Sequence, residues 1–162
     1  MRVLAGQLIL LAMLSAGCGG PPVDLTKGLE IVDASTGWYD AGPVNGQNKL
    51  VPSITFELKN LSDQPLVALQ VNAVFRRVND KDEWGSAYLA VTKSDGLQPG
   101  ATSQPITINS QLGYTGTDPR AEMLKNSQFV DAKVDVFAKY GSHSWARLGE
   151  YPVARQLVAR QP

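Results

Sequence analysis

Polar and apolar residues alternate most cleanly over residues 51–60. Ile54, Phe56 and Leu58 fall on one side there, and Ser53, Thr55, Glu57 and Lys59 on the other. A period of two marks a strand with one dry and one wet face. The pattern returns over 129–140, where Ala132, Val134, Val136, Ala138 and Tyr140 oppose Asp131, Lys133, Asp135 and Lys139. Less regular versions cover 29–39, 66–78, 84–92, 102–109 and 145–157. In 66–78, Leu69, Val71, Ala73 and Phe75 share a face; in 84–92, Trp84, Ser86, Tyr88 and Ala90 oppose Ala87, Leu89 and Val91. In 29–39, Leu29, Ile31 and Asp33 share a side, so the alternation is imperfect. The last segment slips phase near Gly149 and contains Pro152. Proline cannot donate to a ladder, which predicts a bulge or an edge position.

Turn chemistry separates these segments. The stretch 61–65 (LSDQP) predicts a hairpin joining 51–60 to 66–78, and 141–144 (GSHS) a hairpin joining the last two strands. Asp95-Gly96 and Pro99-Gly100 are turn pairs within 93–100. Residues 41–49 and 110–117 read as loops, and Asp118-Pro119 predicts an N-cap and first position of a short helix reaching Lys125. About seven strands at this spacing, with one short helix and no α/β alternation, predict an all-β, two-sheet antiparallel β-sandwich. If the strands run up and down, the loops at 40–49, 79–83 and 110–127 share one end. The turns at 61–65, 93–101 and 141–144 share the other, where the N-terminal segment enters. The end with the longer loops gathers Trp38, Tyr39, Asp40, Asp80, Asp82, Trp84 and Tyr114. Loops on a rigid scaffold carry binding residues, so these seven are the candidate contact surface.

A different signal lies at the N-terminus. An apolar run over 3–14 follows Arg2 and ends in Ser15-Ala16-Gly17-Cys18. Cys18 is the only cysteine, and Gly19, Gly20, Pro21 and Pro22 follow it. The run is shorter than the roughly 20 apolar residues a membrane-crossing helix needs. Small residues before a cysteine resemble the lipobox of bacterial lipoproteins, with Ser15 where leucine is usual in that family. The resemblance implies a signal peptide over 1–17, removed on export, and acylation of Cys18. It also implies a flexible lipidated tether over 18–27 and a folded domain over 28–162. Plain secretion is the competing reading. Two or three acyl chains, palmitate among them, hold a protein on a bilayer far more firmly than one. In a Gram-negative cell the expected place is the outer membrane, facing the periplasm.

Charge adds little. The chain has 15 basic and 15 acidic residues, which predicts no general affinity for nucleic acid. With no cysteine beyond Cys18 and a single histidine, His143, zinc sites of the usual kind are not expected, and no cofactor motif is present. Asp80, Asp82 and Glu83 lack the spacing of a calcium loop. His143 reads as an exposed turn residue, and Arg76-Arg77 as one cation paired with an acidic neighbour. Trp38, Tyr39, Trp84 and Tyr114 form either a sugar-stacking platform or part of the core, and Trp145 is expected in the core.

At family level, Phe56-Glu57-Leu58-Lys59-Asn60, the strand ending at Phe75 and the turn Leu97-Gln98-Pro99-Gly100 resemble small immunoglobulin or fibronectin III-like sandwich domains of bacterial lipoproteins. The resemblance covers about residues 50–108 and implies fold alone. Together these readings predict a membrane-anchored envelope lipoprotein that acts without catalysis as a protein-binding or assembly module. A carbohydrate-binding module for envelope glycans is the first alternative, and a hydrolase with paired carboxylates the second.

Overall fold

A computed structural model of the protein describes residues 21–159; the apolar N-terminal run and Cys18 lie outside the described residues. A helical turn, α1 (Leu25–Gly28), leads into β1 (Leu29–Val44) and β2 (Gln47–Asn60). Then come β3 (Gln70–Arg77), β4 (Gly85–Ala90), β5 (Ile106–Asn109), β6 (Tyr114–Gly116) and the short helix α2 (Arg120–Met123). The chain closes with β7 (Ala132–Lys139), β8 (Ala146–Pro152) and β9 (Leu157–Val158).

One sheet has the order β5-β2-β1-β9, with β6 also paired to β2; the other has the order β4-β3-β7-β8. All pairings are antiparallel except the one joining β1 to β9. The chain alternates between sheets in successive strand pairs. Its principal strands divide as β1, β2 and β5 against β4, β3, β7 and β8, the partition of a fibronectin III-like sandwich. Between the sheets lie Trp38, Ile54, Phe56 and Leu58 from one side and Val71, Ala73, Phe75, Val134 and Val136 from the other, all fully buried. Each large apolar side chain so removed from water contributes on the order of 1.5–3 kcal/mol.

The predicted hairpin between 51–60 and 66–78 does not form. β2 and β3 belong to different sheets, and the connection crosses the sandwich. The crossing is held by Asn60, whose amide donates to the carbonyls of Gln64 (2.9 Å) and Leu97 (2.8 Å). Its oxygen accepts from the Ser62 amide (2.9 Å) and hydroxyl (2.7 Å). The segment expected as a loop at 41–49 is instead the tip of a long β1–β2 hairpin. Asn45 and Gly46, both at positive φ, make its two-residue turn. The irregular face of the first strand has a local cause. Asp33 sits at φ 51°, and the β1–β2 register shifts between Val32 and Ser35, which brings Trp38 inward.

Smaller corrections concern the C-terminal half. Asp118 does not cap α2; Pro119 holds the cap position, with no side-chain cap bond. Residues 114–116 of the expected loop form β6, and the last predicted strand breaks after Pro152, its final residues crossing to the first sheet as β9. β8 is an edge strand with a register shift opposite Val136 and Phe137, as its proline and phase slip predicted. Trp145, expected in the core, is 42% exposed, with the Lys139 ammonium 5.1 Å from its ring centre.

Residues 21–28, read as tether up to Lys27, rest on the domain. The Val23 amide donates to the Tyr140 phenol oxygen at 2.6 Å, Gln64 Nε2 donates to the Pro21 carbonyl at 2.7 Å, and Leu25 is buried. The Asp24 carboxylate caps α1 by accepting from the Thr26 amide and hydroxyl, which holds it below the usual carboxylate range.

Candidate functional site

The loops divide between two ends as strand parity predicts. At one end, Gly28 accepts from Leu61, Leu66 bonds to Leu97, and Gly141 donates to Val67, so α1 and the turns near 61–65, 93–101 and 141–144 are neighbours. At the other end, Asp40 pairs with Arg120 at 2.5 Å, Asn48 donates to the Asp118 carbonyl at 2.9 Å, and Lys49 donates to the Gln111 carbonyl at 2.9 Å.

The seven candidate residues do not converge on one surface. Trp38 is fully buried at the centre of an aromatic cluster, with ring centres of Phe129 at 4.6 Å, Tyr114 at 5.7 Å and Trp84 at 6.1 Å. Trp84 and Tyr114 are half-buried and 4.9 Å apart. None of these ring pairs is coplanar, and the cluster plugs the end of the sandwich in place of forming a flat platform. Arginines pack on its rim: Arg77 lies 5.1 Å from the Trp84 ring centre, and Arg155 lies 5.1 Å from that of Phe129. Arg155 also donates to Asp131 (2.6 Å) and to the carbonyls of Leu124 and Phe129, and the Asp131 bond pushes its pKa above the ordinary arginine value. Phe129 was not among the sequence candidates. The alternation over 129–140 puts it on the side of Asp131, Lys133 and Asp135. It is buried because it precedes β7, in a turn where its amide donates to the Asn126 carbonyl at 3.0 Å.

The carboxylates go elsewhere. Asp40 accepts from the Gly42 amide (2.9 Å) besides pairing with Arg120. Asp80 and Asp82 are exposed in the β3–β4 turn, where Asp80 accepts from the Asp82 amide at 3.1 Å. Arg76, not Arg77, finds the acidic partner. Asp135 on β7, buried, accepts from Arg76 (2.5 Å) and from Arg147 of β8, and the second contact raises the Arg147 pKa. Glu150 and Lys133 extend this into a network across the outer face of β3, β7 and β8. Such a network locks strand register.

Tyr39 points away from Trp38, to the outer face of the first sheet. There it borders a groove of about 590 Å³ with Ser35, Ser53, Thr55, Thr107 and Asn109. Cross-strand register builds the floor: Ser53 lies opposite Asn109, and Thr55 opposite both Ser35 and Thr107. The hydroxyls of Thr55 and Thr107 bond to each other at 2.8 Å. Val158 of β9 and Ala159 close one side. Sequence reasoning read Ser53 and Thr55 simply as the wet face of a strand. The available signal was the row of small hydroxyl and amide residues on 53–55 and 107–109, where lysine or glutamate is usual on a solvated face. A smaller cavity of about 170 Å³ lies beside Tyr114, Met123 and Phe129.

The second sheet also has an open edge. β4 is the edge of its sheet opposite β8. Its Tyr88 is 75% exposed and Leu89 44% exposed, and its sequence GSAYLA carries no charge and no proline.

No protein-family model matches the chain, and no curated protein matches it. Among solved structures, a structural-genomics target aligns at 15% identity over 80% of this chain and 89% of its own, with a TM-score of 0.47. A protein described as ApaA from Bordetella pertussis aligns at 14% identity over 78% of this chain and 93% of its own, TM-score 0.42. The ligand-binding region of serine-glutamate repeat protein A of Enterococcus faecium aligns at 18% identity over 78% and 99%, TM-score 0.33. At these values the likenesses carry no argument about activity or partner.

Proposed function

We propose that the protein is a lipid-anchored cell-envelope module that acts without catalysis, binding a protein partner through the open edge of β4. The observation that carries this reading is the edge itself. Unpaired backbone groups on an edge strand template a further strand, and native edges are blunted by lysine, proline or bulges. β8 has such devices in Pro152, Arg147 and its register shift, whereas β4 has none and presents Tyr88 and Leu89 beside its backbone. Strand addition takes affinity from main-chain bonds and specificity from alternate side chains, and an exposed tyrosine is a suitable anchor. The anchor itself rests on Cys18 behind its apolar run and small residues.

Site-specific photo-crosslinking in intact cells tests this, with the reactive residue at Tyr88 or, as a comparison, at the exposed Val44. The expected result is a discrete adduct in the membrane fraction from position 88 alone, lost from that fraction when Cys18→Ser removes the acylation site. Equal labelling from both positions, or none from Tyr88, refutes the edge. An unmodified Cys18 in the mass spectrum refutes the anchor.

A further inference from the structure

We infer that the groove across β5, β2 and β1, on the outer face of the first sheet, is a binding site for a neutral saccharide. This site is separate from the β4 edge, and the inference does not depend on the protein-partner reading.

The lining chemistry selects the ligand class. Ser35, Ser53, Thr55 and Thr107 contribute hydroxyls, Asn109 an amide and Tyr39 a phenol, and among the described residues no Asp, Glu, Lys, Arg or His borders the groove. A cation would have no carboxylate there, and an anion no guanidinium or ammonium. An apolar ligand would strip water from several hydroxyls without replacing their bonds, which is unfavourable. A saccharide hydroxyl both donates and accepts, as serine and threonine hydroxyls do. In the Thr55–Thr107 pair either oxygen can be the donor, so the pair retains one O–H and free lone pairs for a ligand of either polarity.

Asn109 adds a second, independent observation. Its Oδ1 is buried and accepts no hydrogen bond from the protein. A buried acceptor left unpaired costs on the order of 1–3 kcal/mol. Rotating this amide toward an incoming hydroxyl breaks no bond to Oδ1, and a ligand donor would remove that cost. The groove volume of about 590 Å³ suits a small ligand. Its floor is a paired sheet, with Ser53 only 2% exposed although it sits on the outer face. The side groups are therefore held on rigid elements before the ligand arrives. The Tyr39 ring and Val158 offer apolar surface to the C–H faces of a sugar ring.

Saturation-transfer NMR on the full chain in a non-glycosidic detergent tests the assignment, with N,N′-diacetylchitobiose, maltose and cellobiose as neutral probes and glucuronate as a charged one. Transfer to at least one neutral disaccharide is expected. Asn109→Leu and Thr107→Val should each weaken it about tenfold, the loss of one or two hydrogen bonds. Tyr88→Lys should leave it unchanged, which separates this site from the β4 edge. The near-UV circular dichroism of each variant verifies the fold. Transfer to none of the neutral probes, equal transfer to glucuronate, or signals unaffected by both groove substitutions would overturn the inference.

Discussion

Asn60 has no exposed surface, and its side chain makes four hydrogen bonds that tie two turns of chain together. Its backbone adds two more, donating to Ala101 at 2.9 Å and accepting from Gly100 at 2.8 Å. The asparagine at the end of the 51–60 strand and the Leu97–Gly100 turn thus meet in space, which explains why both belong to one sequence pattern. Asn60→Ala leaves the Gln64 and Leu97 carbonyls without these donors in a dry site. The expected loss is about 3 kcal/mol, read as a lower urea midpoint with unchanged slope. At this scale the sequence was legible wherever alternation was strict: Ile54, Phe56, Leu58, Val134 and Val136 are all fully buried as predicted. It was not legible for Trp145 or Ser53. A tryptophan after a turn packs inward or lies under a lysine at similar cost. A serine on the wet face is buried here between β1 and β5, opposite Gly37 and Asn109.

Elements were harder to assign than residues. Periodicity reports which face of a strand is apolar, but both sheets of a sandwich use the same period, so it does not say which sheet a strand joins. That is why the 51–60 and 66–78 segments were expected to pair and do not. The β1–β2 turn was readable: Asn45-Gly46 is a strong two-residue hairpin signal, hidden here among other loop-forming residues. The parallel β1–β9 pair was beyond sequence pattern, because a two-residue strand has no period. Its requirement is visible at Gly37. A Cβ there would collide with Val158 Cγ1 and come within 2.9 Å of the Gln156 carbonyl, which accepts from the Trp38 amide at 2.8 Å. Gly37→Ala should therefore release β9 while the core stays folded. Hydrogen exchange should show faster exchange at Trp38 and over residues 156–158, with protection in β3 and β7 retained. Loss of protection throughout would mean that β9 is integral to the cooperative unit.

At the scale of the molecule, strand parity was the part of the sequence reading that travelled furthest. It separated the loops correctly because a missed strand, β6, is short and the crossing of β9 comes after the last long loop. What it did not convey is that the loops at the far end mostly hold one another, through Asp40–Arg120, Asn48–Asp118 and Lys49–Gln111. The candidate site was correspondingly less legible than the fold: its aromatics serve the core, and the groove joins polar residues of the β1–β2 hairpin to those of β5, distant in sequence. The described N-terminal residues sit with the turns near 61–65 and 141–144, so a lipid on Cys18 would bring that end to the bilayer. With a fluorophore on an added cysteine, a headgroup quencher should dim Asp63→Cys several-fold more than Asn45→Cys in vesicles. Equal quenching would mean that the domain lies on its side.

The long β1–β2 hairpin gives this arrangement a mechanical character. β1 starts beside α1, at the end that a lipid on Cys18 would hold, and runs the full height of the sandwich, paired with β2 from Leu29↔Asn60 to Val44↔Gln47 and flanked by β9 in parallel. A partner pulling the far end away from the membrane would load this ladder along the strand axis, in shear, so its hydrogen bonds share the force together. Pulling across the strand would open them one at a time. If a lipid on Cys18 holds the domain by its first strand, the fold would resist extension best in the one direction in which that tether can pull it.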